Sequence, residues 1–215
     1  MKINEYIDHT YLKAFGTKDV IEKLCAEAKE YKFKSVCVNP YYIELSKKLL
    51  EGSSVLVCTV IGFPLGQNTT ETKVFETKDA IEKGADEIDM VINVAALKDK
   101  KYDYVQNEIS LIKKACGDKT LKVIIETCYL TEEEIKIASE LSLKANADFV
   151  KTSTGFGTAG AKVENVCIMK GVVKDNAYIK AAGGINNFDE AKSMIDAGAS
   201  RIGTSHGLEI VKGDK

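Results

Sequence analysis

Histidine and paired cysteines are scarce in this sequence, and their scarcity limits the metal sites that it can build. The only histidines, His9 and His206, lie far apart, and the six cysteines form no C-x-x-C pair. A zinc site normally needs several such ligands at close spacing, so the sequence disfavours one. The cysteines are those expected of a cytosolic protein, in which thiols stay reduced and are mostly buried.

The sequence also lacks a long apolar run and an excess of either charge. Its longest apolar stretch, residues 55–65, is interrupted by Thr59, Gly62 and Pro64 and is too short to cross a bilayer. Residues 1–5 lack the apolar core of a secretory signal peptide. A formal net charge of −2 gives no electrostatic reason to bind nucleic acid or a membrane. With 215 residues, 45% of them hydrophobic, we expect one soluble domain over residues 1–215.

Segments typical of strands and of helices alternate along the whole chain. Apolar and β-branched runs predict strands at 8–10, 34–39, 55–61, 87–93, 121–127, 147–151, 177–182 and 200–204. Helical spacing and capping residues predict helices at 17–30, from 40, at 69–83, 98–116, from 131, at 161–174, 187–197 and at the C-terminal end. Gly84, Asn146 and Gly198 are predicted left-handed helix caps just before strands. Eight such units favour an α/β fold, a (β/α)8 TIM barrel, with a doubly wound open sheet as the alternative.

Residues 147–160 combine a buried strand, a lysine and a loop rich in hydroxyls and glycines. Lys151 ends the strand, and Thr154 and Gly155 lie in the loop that follows. A buried ammonium is costly unless it is paired or neutralised, and a glycine-rich loop can present backbone N–H groups to an anion. A solvated strand-end lysine is the simpler alternative. A dinucleotide fingerprint is disfavoured, because the glycines fall late in the chain and the next strand ends without an acid.

In a barrel of this kind the active site forms at the carboxyl ends of the strands, where two lysines lie on neighbouring strands. Lys151 and Lys180 are expected to enter the same space. Two ammoniums repel each other, and we expect the more buried one to lose its proton more readily. A neutral lysine amine is the nucleophile that forms a Schiff base with a carbonyl compound.

The strand at 87–93 is expected to direct acids into the barrel. Alternation places Glu87, Asp89, Val91 and Asn93 on the inner face. Asp89 is then either a structural partner of a lysine or a general acid and base that moves protons. Lys122, at the start of its strand, is interpreted as structural.

Glycines and hydroxyls after the last two strands predict a phosphate site. Gly183 and Gly184 follow the seventh strand, and Gly203 and Ser205 lie at the end of the eighth. Loops at these positions commonly bind phosphate in this fold, and together with Gly155 they would form one ring. Cys37 is also expected near the top of the barrel, as a substrate contact or, alternatively, as a buried strand thiol.

Eight motifs carry a resemblance to a known family over nearly the whole chain. They are Ile7-Asp8-His9-Thr10, Val36-Cys37-Val38-Asn39-Pro40, Gly62-Phe63-Pro64-Leu65-Gly66, Glu87-Ile88-Asp89-Met90-Val91-Ile92-Asn93, Val123-Ile124-Ile125-Glu126-Thr127, Lys151-Thr152-Ser153-Thr154-Gly155, Lys180-Ala181-Ala182-Gly183-Gly184 and Arg201-Ile202-Gly203-Thr204-Ser205. With these motifs the chain resembles the 2-deoxy-D-ribose-5-phosphate aldolases, class I aldolases with a TIM-barrel fold.

The resemblance implies reversible cleavage of 2-deoxy-D-ribose 5-phosphate to D-glyceraldehyde 3-phosphate and acetaldehyde. It implies that Lys151 forms the Schiff base, that Lys180 helps to keep Lys151 a neutral amine, and that Asp89 relays protons. Asp8 and Thr10 would support the lysines and the sugar hydroxyls. It implies no metal and no organic cofactor, small phosphosugar and aldehyde substrates, a homo-oligomer (dimer or tetramer) and a cytoplasmic location.

Two positions depart from the family pattern near the expected phosphate. Asn186 stands where an arginine is usual, and His206 stands where a serine is usual. The first change removes a cation, which a charged His206 could partly replace. Two other functions are compatible with these residues: another Schiff-base barrel such as a transaldolase, or a catalytically silent barrel that binds sugar phosphates.

Overall fold

Eight parallel strands close into a barrel in the order of the sequence. The structure is a computed structural model that describes residues 2–214. The strands are β1 Ile7–Tyr11, β2 Ser35–Val38, β3 Leu56–Ile61, β4 Glu87–Val91, β5 Thr120–Ile124, β6 Phe149–Lys151, β7 Tyr178–Ala182 and β8 Arg201–Thr204. The pairing of β1 with β8 closes the barrel, so the predicted (β/α)8 barrel is confirmed and the open sheet is wrong.

Helices follow the strands and cover the outside of the barrel. They are α1 Lys18–Tyr31, α2 Ile43–Leu49, α3 Thr70–Glu82, α4 Val94–Lys98, α5 Tyr102–Cys116, α6 Glu132–Lys144, α7 Val163–Val173, α8 Phe188–Asp196 and α9 Gly207–Lys212. Short 3-10 helices span Ile3–Tyr6, Pro40–Tyr42 and Thr127–Tyr129. Within residues 2–214, no helix is long and apolar enough to cross a membrane.

Local sequence signals explain several helix ends. Gly84, Asn146 and Gly198 have φ angles of 105°, 58° and 112°, which confirms the left-handed caps predicted there. Thr131 and Glu134 form a capping box at the start of α6. These ends matter for the site, because each one sets where the next strand enters the barrel.

The segment after β4 differs from the prediction. Asn93 was expected to point into the barrel, but its side chain caps α4 by accepting a hydrogen bond of 3.0 Å from the N–H of Ala96. The extra helix delays α5, which begins at Tyr102 rather than near residue 98. Asparagine is a strong N-cap, and that local preference outweighs the alternation of the strand.

The apolar core lies between the strands and the helices, while the interior of the barrel is charged. Ile88, Met90 and Val123, for example, are fully buried on the outer face of their strands. The alternate residues of the same strands, among them Asp89 and Lys122, point inward and are also fully buried. A buried charged group needs a partner of opposite charge. We therefore expect the reactive side chains to lie on the inner face of the barrel.

Two of the loops above the barrel touch each other through glycine. A Cβ atom on Gly160 would lie 2.1 Å from the carbonyl oxygen of Gly183. The N–H of Ala161 donates to that same oxygen over 3.0 Å. The loop after β6 is thereby fixed against the loop after β7, and only glycine allows this approach.

This contact gives a test of the fold with a matched control. We expect Gly160→Ala to lower the free energy of unfolding by about 2 kcal/mol, because the methyl group forces the two loops apart. Gly171→Ala, at an exposed position of α7 with open space around it, should raise stability by about 0.5–1 kcal/mol. Urea unfolding of both variants checks this, and equal midpoints would contradict it.

Candidate active site

Seven charged side chains meet inside the barrel. All are buried: the carboxylates Asp8, Glu87 and Asp89, and the cations Lys122, Lys151, Lys180 and Arg201. A charge removed from water is destabilising unless it is paired and hydrogen-bonded, so the contacts within this group decide what each member can do. We call these seven residues the barrel network.

Asp89 is the centre of the barrel network. Its Oδ2 accepts hydrogen bonds of 2.7 Å from both Lys151 Nζ and Lys180 Nζ, and its Oδ1 accepts one of 2.8 Å from Lys122 Nζ. Burial alone would raise its pKa, but the charges of Lys122, Lys151 and Lys180 overcome this and hold the pKa well below its usual range. Asp89 is therefore a carboxylate that links three lysine side chains.

Lys180 is held between two carboxylates. Its Nζ lies 2.6 Å from Asp8 Oδ2, an ion pair without hydrogen-bond alignment, and 2.7 Å from Asp89 Oδ2. Burial lowers the pKa of Lys180, but Asp8 and Asp89 raise it further, so the net pKa lies above its ordinary value. The expectation that the more buried lysine loses its proton more readily is wrong, because Lys180 is the more buried of the two and stays charged.

Asp8, Glu87 and Arg201 form a second layer of the barrel network, below the lysines that contact Asp89. The Arg201 guanidinium donates to Asp8 Oδ1 over 2.8 Å and to Glu87 Oε1 and Oε2 over 3.0 and 2.8 Å. Lys122 Nζ donates to Glu87 Oε2 over 2.7 Å as well as to Asp89. Lys122 lies in the middle of β5, opposite Asp89, rather than at the start of the strand as predicted, and it touches the central carboxylate directly. The sequence interpretation did not weigh Arg201, although its place at the start of a strand was visible.

Lys151 is the cation of the network with the fewest partners. Asp89 is the one carboxylate within ion-pair distance of its Nζ in residues 2–214, and two other lysines share that carboxylate. The network contains four cations and three carboxylates, so a neutral amine at Lys151 leaves it electrically balanced. This arrangement suits a nucleophilic amine.

A pocket of about 310 Å³ opens above Lys151 at the carboxyl ends of the strands. Its wall includes seven further residues that the sequence predicted for substrate: Thr10, Thr154, Gly155, Gly183, Gly184, Gly203 and Ser205. Asp8, Asp89 and Lys180 do not line it and lie in the network below. The predicted residues therefore form two layers, with Lys151 at their junction.

Cys37 is placed away from the pocket wall. It is fully buried beside Leu12, Cys58 and Val60, and its pKa is lowered chiefly by a hydrogen bond from Cys58. This position matches the alternative of a buried strand thiol and does not match a substrate contact. In the described part of the chain, Cys37, Cys58 and Asp89 bring possible metal ligands within 4.8 Å of one another. Three lysine side chains already bind Asp89, and the charges of Lys122 and Lys180 make this place electrostatically unfavourable for a metal cation.

Glu126 is a residue of the site that the sequence interpretation missed. It follows β5 with a left-handed φ of 54°, is buried, and accepts hydrogen bonds from the N–H of Thr154, at 3.2 Å, and from the Thr154 hydroxyl. Thr154 Oγ in turn accepts from the N–H of Phe156 over 3.0 Å. Glu126 thus fixes the loop after Lys151. The motif around it was visible, but its partner lies 28 residues away along the chain.

The loops that line the pocket contain backbone N–H groups without a protein partner among residues 2–214. Among residues 2–214, the backbone N–H groups of Gly155, Gly184 and Ser205 have no protein acceptor. Unpaired N–H groups that converge on one pocket are suited to bind an anion. A Cβ atom on Gly203 would lie 3.1 Å from Lys180 Cε, so glycine also leaves room for the lysine beneath.

This chain is similar to known aldolases over its whole length. A family model described as DeoC/LacD family aldolase matches residues 3–213. The deoxyribose-phosphate aldolase of Malacoplasma penetrans is 61% identical over 214 residues, which cover 100% of this chain and 96% of that protein. The deoxyribose-phosphate aldolase of Finegoldia magna is 60% identical, with 99% of this chain and 100% of that protein covered. The tetrameric structure of the deoxyribose phosphate aldolase from Aeropyrum pernix superposes with a TM-score of 0.91 at 32% identity, covering 98% of this chain and 89% of that one.

The barrel network predicts how stability depends on acid. The folded pKa values of Asp8, Glu87 and Asp89 lie below those of the unfolded chain, so stability is present above about pH 4 and is lost as the pH falls further. Each carboxylate adds a slope of up to about 1.4 kcal/mol per pH unit.

Urea unfolding between about pH 6 and about pH 3 measures this slope. Asp89→Asn should make it shallower, because one buried proton acceptor is gone. Asp189→Asn removes an exposed carboxylate and serves as the control. Equal slopes for Asp89→Asn and the unsubstituted protein would contradict the prediction.

Proposed function

The chain belongs to the DeoC/LacD aldolase family, as the sequence predicted, and from this membership we propose that it reversibly cleaves 2-deoxy-D-ribose 5-phosphate. The products are D-glyceraldehyde 3-phosphate and acetaldehyde. The observation that carries the proposal is the shared contact of Lys151 and Lys180 with one oxygen of Asp89, beneath a pocket whose loops present free N–H groups.

In the proposed reaction, Lys151 is the nucleophile. Its neutral amine attacks the C1 carbonyl of the open-chain sugar, and loss of water gives a protonated Schiff base. The C2–C3 bond then breaks: the C3 hydroxyl loses its proton, C3 leaves as the aldehyde of D-glyceraldehyde 3-phosphate, and the electron pair forms an enamine at C1–C2. A proton added at C2 and then water at C1 release acetaldehyde and restore the amine.

Asp89 and Lys180 serve the proton steps of this sequence. The carboxylate of Asp89 lies 2.7 Å from the reacting nitrogen and can take up and return the protons exchanged there. Lys180 is a fixed ammonium at the same carboxylate oxygen, and it opposes a second positive charge on Lys151. Asp8 supports this role because it supplies the second carboxylate of Lys180.

The remaining pocket residues bind the substrate. Gly155, Gly184 and Ser205 offer N–H groups to the phosphate, while Gly183 leaves room for the loop after β6 and Gly203 for the Lys180 side chain. Thr10 and Thr154 line the same pocket and offer hydroxyls to the sugar. Cys37 is given no part in binding, because it lies outside the pocket.

A homo-oligomer and a cytoplasmic location complete the proposal. Several large apolar side chains are exposed, including Tyr41 at 85%, Phe75 at 72% and Leu65 at 71%, and subunit contacts would cover such surface. The relative from Aeropyrum pernix is tetrameric. All six cysteines are free, which supports a reducing compartment such as the cytoplasm.

Reductive trapping tests the covalent step. Acetaldehyde followed by borohydride should leave an ethyl group on the peptide that contains Lys151, because the reduced Schiff base cannot hydrolyse. Lys151→Leu should abolish both the label and the retro-aldol activity, whereas Lys162→Leu, at an exposed lysine, should keep both. A mass spectrum with Lys151 unmodified would refute the proposed mechanism.

Substitution of Lys180 tests whether its ammonium contributes to catalysis. Lys180→Met should lower kcat for 2-deoxy-D-ribose 5-phosphate by about 10²-fold or more, since the charge that faces Lys151 across Asp89 is lost. It should also move the acidic limb of the pH–rate profile. Lys192→Met, on the exposed side of α8, is the control for loss of a lysine. An unchanged kcat and profile in Lys180→Met would show that Lys180 is only structural.

A further inference from the structure

The pocket above Lys151 is positively charged, with its cations distributed unevenly around it. No carboxylate lines it, and its side chains that carry or can gain positive charge are Lys13, Lys151 and His206. Lys151 lies at the floor and is reserved for the carbonyl group. A phosphate monoester has close to two negative charges at neutral pH, so the rim residues must supply most of the attraction.

The β7 side of the rim cannot supply that charge. Asn186 lies there, and its amide donates to Gly184 O over 3.2 Å and to Glu190 Oε2 over 3.3 Å. Its backbone N–H also donates to Glu190 Oε2, over 2.7 Å. The β7 side of the rim therefore adds no cation of its own, and its Asn186 side chain is occupied by Glu190.

Lys13 lies on the opposite side, beside the loop after β8. In the closed barrel β1 pairs with β8, with His9 opposite Thr204. Lys13 follows the end of β1 closely and Ser205 follows Thr204 directly, so the two loops share one part of the rim. Both residues line the pocket, and the N–H of Ser205 has no acceptor within residues 2–214.

Lys13 is also available for a ligand. It is exposed, and no carboxylate within residues 2–214 forms an ion pair with it. Its Nζ lies 5.9 Å from the centre of the Phe15 ring, a weak contact that still leaves the ammonium free to bind an oxygen anion. His206 is less available, because its Nδ1 lies 3.9 Å from Glu209 Oε2.

From this placement we propose that Lys13 binds the 5-phosphate of the substrate and selects phosphorylated over unphosphorylated sugars. The inference rests on the proposed function for the identity of the sugar. The ammonium of Lys13 and the N–H groups of Gly184 and Ser205 form the phosphate site together, and the β1 loop supplies the cation that the β7 side of the rim lacks.

Steady-state kinetics on two substrates test the assignment. For Lys13→Met we expect kcat/KM for 2-deoxy-D-ribose 5-phosphate to fall about tenfold through KM, because a charge-assisted hydrogen bond to phosphate is lost. The ratio of kcat/KM for this substrate to that for 2-deoxy-D-ribose should fall by the same factor. Lys13→Arg should recover most of the ratio. Lys18→Met, at an exposed lysine outside the pocket, is the matched control and should keep it.

Titration with inorganic phosphate separates this proposal from the proposed function. Phosphate should bind Lys13→Met about tenfold more weakly than the unsubstituted protein, whether or not either protein turns over. An unchanged phosphate affinity, or an equal loss of activity on both sugars, would overturn the role of Lys13. Phosphate binding that depends on Lys13 in a protein that cleaves neither sugar would support the role and refute the aldolase reaction alone.

Discussion

One carboxylate shared by three lysine side chains is the interaction on which this site depends. Asp89 contacts Lys122, Lys151 and Lys180 at distances of 2.7 to 2.8 Å, and none of the four groups has more than slight exposure to water. In such a place the removal of any one charge changes the balance for the others. The barrel therefore couples the protonation of the reacting amine to groups on several strands.

The second layer, formed by Asp8, Glu87 and Arg201, stabilises the lysines around Asp89 by supplying further ion pairs. Arg201 spans both carboxylates with several hydrogen bonds, and it holds Asp8 where it can pair with Lys180. Because Lys180 has two carboxylates and Lys151 only a shared one, the two lysines differ in charge environment although they lie side by side on β6 and β7. That difference is the physical basis for assigning the nucleophile.

Below the pocket the site consists of buried charged side chains. Above them it consists mainly of loops with backbone N–H groups that are unpaired within residues 2–214. Glycines bring the loops after β6 and β7 into contact and leave N–H groups unpaired at the pocket. Glu126 holds the first of these loops through Thr154. Lys151, at the end of β6, thus lies between the barrel network below and the glycine loops above.

The sequence by itself determined the barrel, the family and the strands on which Lys151, Lys180 and Asp89 lie. It could do so because alternation, helix caps and glycine loops are local signals that depend on neighbouring residues. It predicted the start of α6 and the caps at Asn146 and Gly198 for the same reason.

Only the tertiary structure decided which charges meet. Lys180 and Asp89 are 91 residues apart, and Asp8 and Arg201 are 193 apart, so no local pattern could pair them. We expected burial to favour the neutral form of the more buried lysine. The closed barrel instead brings Asp8 and Asp89 to Lys180, and these carboxylates keep it charged. The roles of Arg201, Lys122 and Glu126, and the placement of Cys37 away from the pocket, follow from the same closure. Electrostatic energies depend on distance in space, and that distance exists only once β1 has paired with β8.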